Sequence, residues 1–276
     1  MHLFPFADRL KKLPFWLLGI ILVGVLILWN IAGRADNRII FQATARGLLT
    51  TLWVSLTAFS FSVVLGLGLG LCRTSRYRVM RELSTFWVEI MRGVPMLVIL
   101  YYIAFIGAPG MVEAVNFILS PLVNRGLIAP LSIRGIPFSW RAIIALTLGY
   151  SAFISEIFRA GIESIPAGQW EAAYALGLRK RQAMVRIVLP QAVRNVLPPL
   201  GNEFVAMIKD SALVSALGVQ DVTQMGKVYA ASTFKFFETY NIVAFLYLFL
   251  TITLSMLVRL LEKRLRTGHA GAALRQ

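Results

Sequence analysis

Cysteine, histidine and acidic side chains are scarce in this chain, and each scarcity excludes something. One cysteine, Cys72, permits no internal disulfide, so stability does not depend on the redox compartment. The two histidines, His2 and His269, sit at opposite ends of the chain, so no histidine-based metal cluster is available. Only 15% of residues are charged, far below the quarter or so of an ordinary soluble domain. A phosphate-binding G-x-x-x-x-G-K-[ST] loop is also missing, so the chain does not read as an ATPase.

Apolar residues are abundant: they make up 58% of the 276 residues. A water-soluble fold of this size cannot bury so many, which places the chain among all-α integral membrane proteins. The formal charge of +15 does not signal nucleic acid, because the basic residues sit in short clusters between apolar runs.

Six apolar segments follow one another. The first, 13–31, comes after a basic arm (Arg9, Lys11, Lys12) and reads as an anchor helix rather than a cleaved leader, since no small-x-small site follows it. The second, 47–71, carries Gly66 and Gly70 at a small-xxx-small spacing that lets membrane helices approach closely. The third, 83–106, is interrupted by Gly93 and Pro95. A proline-rich outer connection, 108–137, follows, with a surface helix expected over 112–123. The fourth runs over 140–158, the fifth over 191–217 with Pro198 and Pro199 breaking it, and the sixth over 241–261. With both termini inside, most basic residues fall on the inner side: Arg73, Arg76, Arg78 and Arg81 between the second and third spans, and Arg179, Lys180, Arg181 and Arg186 between the fourth and fifth. That asymmetry sets the orientation, with both termini cytoplasmic.

Charged groups inside spans are costly and should find partners. Glu89 and Arg92, and likewise Glu156 and Arg159, stand three apart and can pair on one helix face. Asn195, Asn202 and Lys209 recur every seven residues, a stripe that drifts only about 20° per repeat, with Glu203 and Asp210 beside it. Together with Glu89 and Arg92, the residues Asn195, Asn202, Glu203 and Lys209 are the candidate lining of a translocation path. Packing against a second permease is the alternative role for that stripe.

The polar segment between the fourth and fifth spans is the most informative. Pro166 and Gly168 are expected to break the chain ahead of a short helix, with Glu171 in its first turn and Gly177 at its end. Ala172, Ala173 and Ala175 keep that helix slim enough to enter a groove on another protein. On composition alone it could equally be an amphipathic element lying on the bilayer. The run Glu171-Ala172-Ala173, Gly177 and Ile187-Val188-Leu189-Pro190 resembles the coupling loop of permease subunits of ATP-binding-cassette importers. Arg92-Gly93-Val94-Pro95, Glu156 with Arg159-Ala160-Gly161-Ile162, Leu189-Pro190-Gln191-Ala192 and Lys209-Asp210-Ser211 are similar to motifs of its polar amino-acid uptake branch. Ala160 stands where that branch has glycine.

The resemblance covers roughly residues 44–266, but neither the first span nor most of the outer connection 108–137, which is longer than usual for that family. It implies a five-helix importer core plus one extra N-terminal helix, divided into 1–43 (arm, anchor helix, outer loop), 44–266 (transmembrane domain, coupling loop 159–190) and 267–276 (polar tail). It further implies coupling residues Gln169, Glu171, Ala172, Ala173, Ala175, Leu176 and Gly177, and a place in the bacterial inner membrane. No cofactor is implied in this subunit, ATP and Mg being held by two partner ATP-binding subunits. The other implied partners are a second permease (itself or a paralogue), an extracytoplasmic solute-binding protein and an amino-acid substrate. A rival is a stand-alone secondary transporter or channel, which would carry an internal repeat; none is evident.

Overall fold

The computed structural model describes residues 15–273, and among them every regular element is helical. The basic arm with Arg9, Lys11 and Lys12, the opening of the first apolar segment at 13–14, and Arg275 in the tail lie outside the described residues.

Helix α1 (Phe15–Gly33) carries the first apolar segment. Arg34 is extended and turns the chain into α2 (Ala35–Ala45), a helix where the sequence predicts an outer loop. Through a turn at Arg46, α2 leads into α3 (Gly47–Arg73), the second apolar segment. A sharp stop follows, and α4 (Arg78–Gly93) buries Ser84 and Val88 on one face while Phe86, Glu89 and Ile90 face outward.

The third segment departs from expectation. Pro95 has no N–H and forces Val94 extended (φ −96°, ψ 133°), so α4 ends at Gly93 and a new helix begins at Met96. That helix, α5 (Met96–Tyr102), does not stop near 106. It passes through a wide turn, Ile103–Gly107, into α6 (Ala108–Val123). The wide turn accommodates the ring of Pro109, whose missing N–H an ordinary helical turn would need. The expected surface helix is therefore the continuation of one apolar helix, Met96–Val123. The remaining connection folds back on it: Asn116 pairs with both the N–H and C=O of Leu131, at 2.8 and 2.9 Å. Arg141 donates to the carbonyls of Ile133, Ile136 and Ala104.

Helix α7 (Phe138–Glu163) is the most buried element and packs along α3. The close approach is legible in the small residues of α3. A Cβ on Gly66 would stand 2.7 Å from Ile154 Cγ2, and one on Gly70 would stand 3.0 Å from the Ser155 carbonyl. In the same seam Ser62 donates to the Thr147 carbonyl at 3.2 Å, and Val54, Ala58, Leu146 and Tyr150 join the main apolar core.

After α7 come α8 (Ala167–Ala175), the short α9 (Lys180–Ala183), a second wide turn at Met184–Val188, and α10 (Leu189–Asp210). α10 runs unbroken through Pro198 and Pro199, where the sequence suggested a break. Val196 and Leu200 pack with Ile154 and hold the helix where two successive backbone donors are missing. A tight helical turn, Ser211–Leu217, ends at Gly218 (φ +75°). Asp221 then caps α11 (Val222–Thr233), accepting from the Gln224 N–H at 2.8 Å and from the Tyr247 hydroxyl at 3.0 Å. The long α12 (Phe236–Ala273) closes the fold.

Among the described residues, four helical stretches are long and apolar enough to cross a membrane: Ala35–Arg73, Met96–Val123, Phe138–Glu163 and Phe236–Arg264. α1 is apolar but shorter, and α10 carries Arg194, Glu203, Lys209 and Asp210.

Candidate functional site

Two features sit next to each other in the fold: the exposed helix α8 and a largely apolar cleft between α7 and α10 that carries a few charged and polar groups. α8 is set by its ends. Pro166, extended at φ −55°, ψ 140°, starts it, so the helix begins at Ala167. Gly168 therefore lies inside its first turn rather than ahead of it. Glu171 sits in the second turn, not the first, and the dipole argument for that carboxylate does not hold. The other end matches expectation. Gly177 adopts φ +73°, its N–H reaches the Tyr174 carbonyl at 2.9 Å, and the Leu178 N–H reaches Ala173 at 3.1 Å. This paired bonding closes a helix when a glycine can go left-handed.

Only one edge of α8 is covered. Ala173 is fully buried, and Trp170 packs into an apolar cluster with Ile165, Met184, Val188 and Ala192. Gln169 is tied to α10, its Oε1 accepting from Gln191 Nε2 at 3.2 Å. The rest of the surface is open. Glu171, Ala172 and Ala175 are exposed, Tyr174 is about half exposed, and Leu176 is 79% exposed. The arrangement is a short rigid post, anchored by Trp170 and Ala173, that presents small side chains and one large leucine outward.

α8 hangs from α7, whose last turns carry a chain of charges. The Glu156 carboxylate accepts from Arg73 Nη1 at 2.5 Å and pairs with Arg159, which also pairs with Glu163. Arg73 belongs to α3 and is only 11% exposed, so Glu156 ties the ends of two buried helices together. The Glu156–Arg159 pair was legible from spacing. Glu163 could have been found from the same i,i+4 rule, whereas Arg73, 83 positions from Glu156, could not.

Glu156 also faces an open cleft of about 610 Å³, with Arg92, Phe153, Ser164, Asn195 and Glu203 on its walls. The Arg92 guanidinium stands 5.8 Å from the centre of the Phe153 ring, and Asn195 Nδ2 donates to Ser164 Oγ at 3.0 Å. Glu203 is half-buried there. The cleft gathers Arg92, Asn195 and Glu203 from the expected path residues. The others lie elsewhere. Glu89 is exposed on α4 and forms no ion pair with Arg92, and Asn202 is exposed outside the cleft lining. Lys209 lines a different groove beside Thr251, Ser255 and Arg259 of α12. Asp210 accepts instead from the Tyr150 hydroxyl at 2.8 Å.

The split follows from helix geometry. At about 100° per residue, Asn195, Pro199 and Glu203 step round α10 by about 40° each and centre on Pro199. The seven-residue series drifts the opposite way, carrying Lys209 toward α12 and leaving Asn202 between the two grooves. Phe153 and Ser164 carried no sequence signal of their own.

Chains of known kind share this architecture. A crystal structure of an amino acid ABC transporter with histidines matches with TM-score 0.68 and 34% identity, covering 81% of this chain and 94% of that one. An inward-facing structure of the MetNI methionine ABC transporter matches in fold, with TM-score 0.63 and 20% identity, covering 81% and 96%. The probable amino-acid permease protein YxeN of Bacillus subtilis (strain 168) is 36% identical over 223 residues, 81% of this chain and 91% of the relative. The probable glutamine ABC transporter permease protein GlnM of the same organism is 35% identical over 240 residues, 87% and 100%. The glutamine transport system permease protein GlnP of Escherichia coli (strain K12) is 32% identical over 220, 80% and 91%. Residues 62–267 match the family described as binding-protein-dependent transport system inner membrane component, and the match takes in α7, α8, α10 and the cleft. This chain therefore belongs to that family, as a multi-pass, membrane-embedded component of a transport system.

Proposed function

We propose that this chain is the permease subunit of an ATP-driven importer that moves a polar amino acid across the cytoplasmic membrane by alternating access. One observation carries the reading: α8 is held rigidly by Trp170, Ala173 and the Gly177 stop, while its small outer face is left open. A helix fixed on one side and bare on the other can pass force from a docked motor into α7 and α10. Glu171, Ala172, Ala175 and Leu176 are the docking surface, and Gln169, Ala173 and Gly177 hold its shape.

In this reading six helices cross the bilayer, with α1 added to a five-helix core and both termini in the cytoplasm. Residues 1–43 form the arm, anchor helix and outer loop, 44–266 the transmembrane domain, and 267–276 the tail. Two ATP-binding subunits hold ATP and Mg, and a second permease, a copy or a paralogue, completes the pore. An extracytoplasmic solute-binding protein delivers substrate. The names of the relatives support an amino-acid substrate. The cleft supports it chemically, because a free amino acid has one carboxylate and one ammonium, for which Arg92 and Glu203 are complementary.

The test is affinity purification of the tagged chain from its native membrane beside Glu171→Arg. Co-elution of an ATP-binding subunit and ATPase activity from wild type, both reduced in the variant, is the expected result. Wild type eluting alone, with uptake driven by an ion gradient, would overturn the proposal in favour of a secondary transporter.

A further inference from the structure

The match to the transport family begins at residue 62, so α1 and α2 lie outside it. Between α1 and the start of α12 runs a groove of about 390 Å³ that no part of the transport reading uses. Its walls are apolar along one stretch, with Val23, Leu26 and Ile27 facing Ile242. Its mouth is polar, formed by Asn30, Arg34, Asn37, Glu238 and Asn241. Phe237, 79% exposed, lines the groove, and Trp29, equally exposed, precedes Asn30 in the chain; aromatic side chains gather in this way where a bilayer meets water.

The charges at the mouth sort themselves. Asp36 and Lys235 pair at 2.6 Å, and this contact is the main cause that raises the pKa of the Lys235 ammonium, with a smaller electrostatic contribution from Glu238. Asn37 donates to Asn30, fixing both amides. Among the described residues, Arg34 and Glu238 form no ion pair, leaving one cation and one anion on the same groove.

We propose that this groove binds a phospholipid whose headgroup carries both a phosphate and a primary ammonium, of the phosphatidylethanolamine class. Arg34 takes the phosphate, since a guanidinium fork matches its oxygens and the Asn241 amide adds a donor. Glu238 takes the ammonium, which offers N–H donors that a choline lacks. A headgroup with net negative charge meets Glu238 as a like charge. The volume suits a headgroup and the first carbons of the tails: it equals roughly a dozen waters at liquid density. The tails continue over the apolar walls of α1, whose Leu22, Leu26 and Leu28 are more than half exposed. The proposal rests on the membrane location alone and does not depend on what α8 docks.

The experiment is native mass spectrometry of the full chain in detergent, with dioleoyl phosphatidylethanolamine, phosphatidylcholine or phosphatidylglycerol added at equal concentration. The expected result is at least a fivefold preference for the ethanolamine lipid, with little competition from tail-free glycerophosphoethanolamine. Glu238→Gln should abolish the discrimination between ethanolamine and choline, and Arg34→Gln should weaken all three lipids. Equal retention of the three lipids by wild type, or a preference for the glycerol headgroup, would overturn the proposal without any variant. So would a wild-type chain that dimerises through this face and retains no lipid, or strong competition by the tail-free headgroup.

Discussion

Glu156→Gln removes the carboxylate that joins α3 to α7 and lines the cleft. The substituted amide is nearly isosteric, so packing is kept and the change is electrostatic. Arg159 retains Glu163, an exposed partner whose pairing is worth about 0–1 kcal/mol. Arg73 is the expensive group: it is 11% exposed and its ion pair is with Glu156. A lost hydrogen bond to a charged group costs about 1.5–3 kcal/mol, while stranding a fully buried charge costs about 3–5. Because Glu156 is 28% exposed to the cleft, water relieves part of the loss, and about 2–3 kcal/mol is the expected destabilisation. Arg73→Gln should cost about the same, and the double variant little more than either single one. The pair should therefore couple by about 2 kcal/mol. The assay is equilibrium unfolding in mixed micelles followed by tryptophan fluorescence, run as a double-mutant cycle. Additive single effects, within about 0.5 kcal/mol, would refute the claim that this pair ties the two helices.

Other substitutions separate packing from surface. Gly66→Ala puts a Cβ 2.7 Å from Ile154 and should lower stability by about 1–3 kcal/mol, whereas Gly68→Ala, with open space around it, should be neutral or stabilising by up to about 1 kcal/mol. Gly177→Ala forces a left-handed alanine and should cost about 1 kcal/mol in the same unfolding assay. Ala173→Leu should destabilise the chain by about 1–3 kcal/mol because Ala173 is fully buried, while Ala172→Leu, on the open face, should leave thermal stability unchanged and reduce ATP-driven uptake. Asp221→Ala removes a helix cap and a tyrosine contact, for an expected loss of about 1–2 kcal/mol.

Much of this was legible in the sequence where local chemistry decides. Gly66 and Gly70 announced a close helix contact on α3, though not that α7 is its partner, because only a missing side chain lets two helices come so close. Gly177 announced the end of α8 because its left-handed backbone is a single-residue property. Reading failed where neighbours decide. The spacing of Gly93 and Pro95 marked a break, but whether the chain resumed as one long helix depended on the wide turn at Ile103–Gly107, which absorbs Pro109 and has no sequence signature. Pro198 and Pro199 looked like a break because local propensity was counted without the packing of Val196 and Leu200. The seven-residue stripe on α10 marks one face of the helix, while the cleft takes its residues from a neighbouring face centred on Pro199, a difference that only the packing of α7 against α10 decides. Arg73 was invisible as a partner of Glu156, since only the packed fold joins positions so far apart.

The central claim is that the open face of α8 docks an ATP-hydrolysing subunit. Its most direct test is cross-linking from one engineered cysteine at Leu176, in a Cys72→Ser background, within native membranes. A thiol-anchored photoreactive probe there, compared with the same probe at exposed Phe117 on α6, should capture an ATP-binding subunit from position 176 and not from 117. Equal capture from both positions, or capture from 117 alone, would contradict the account.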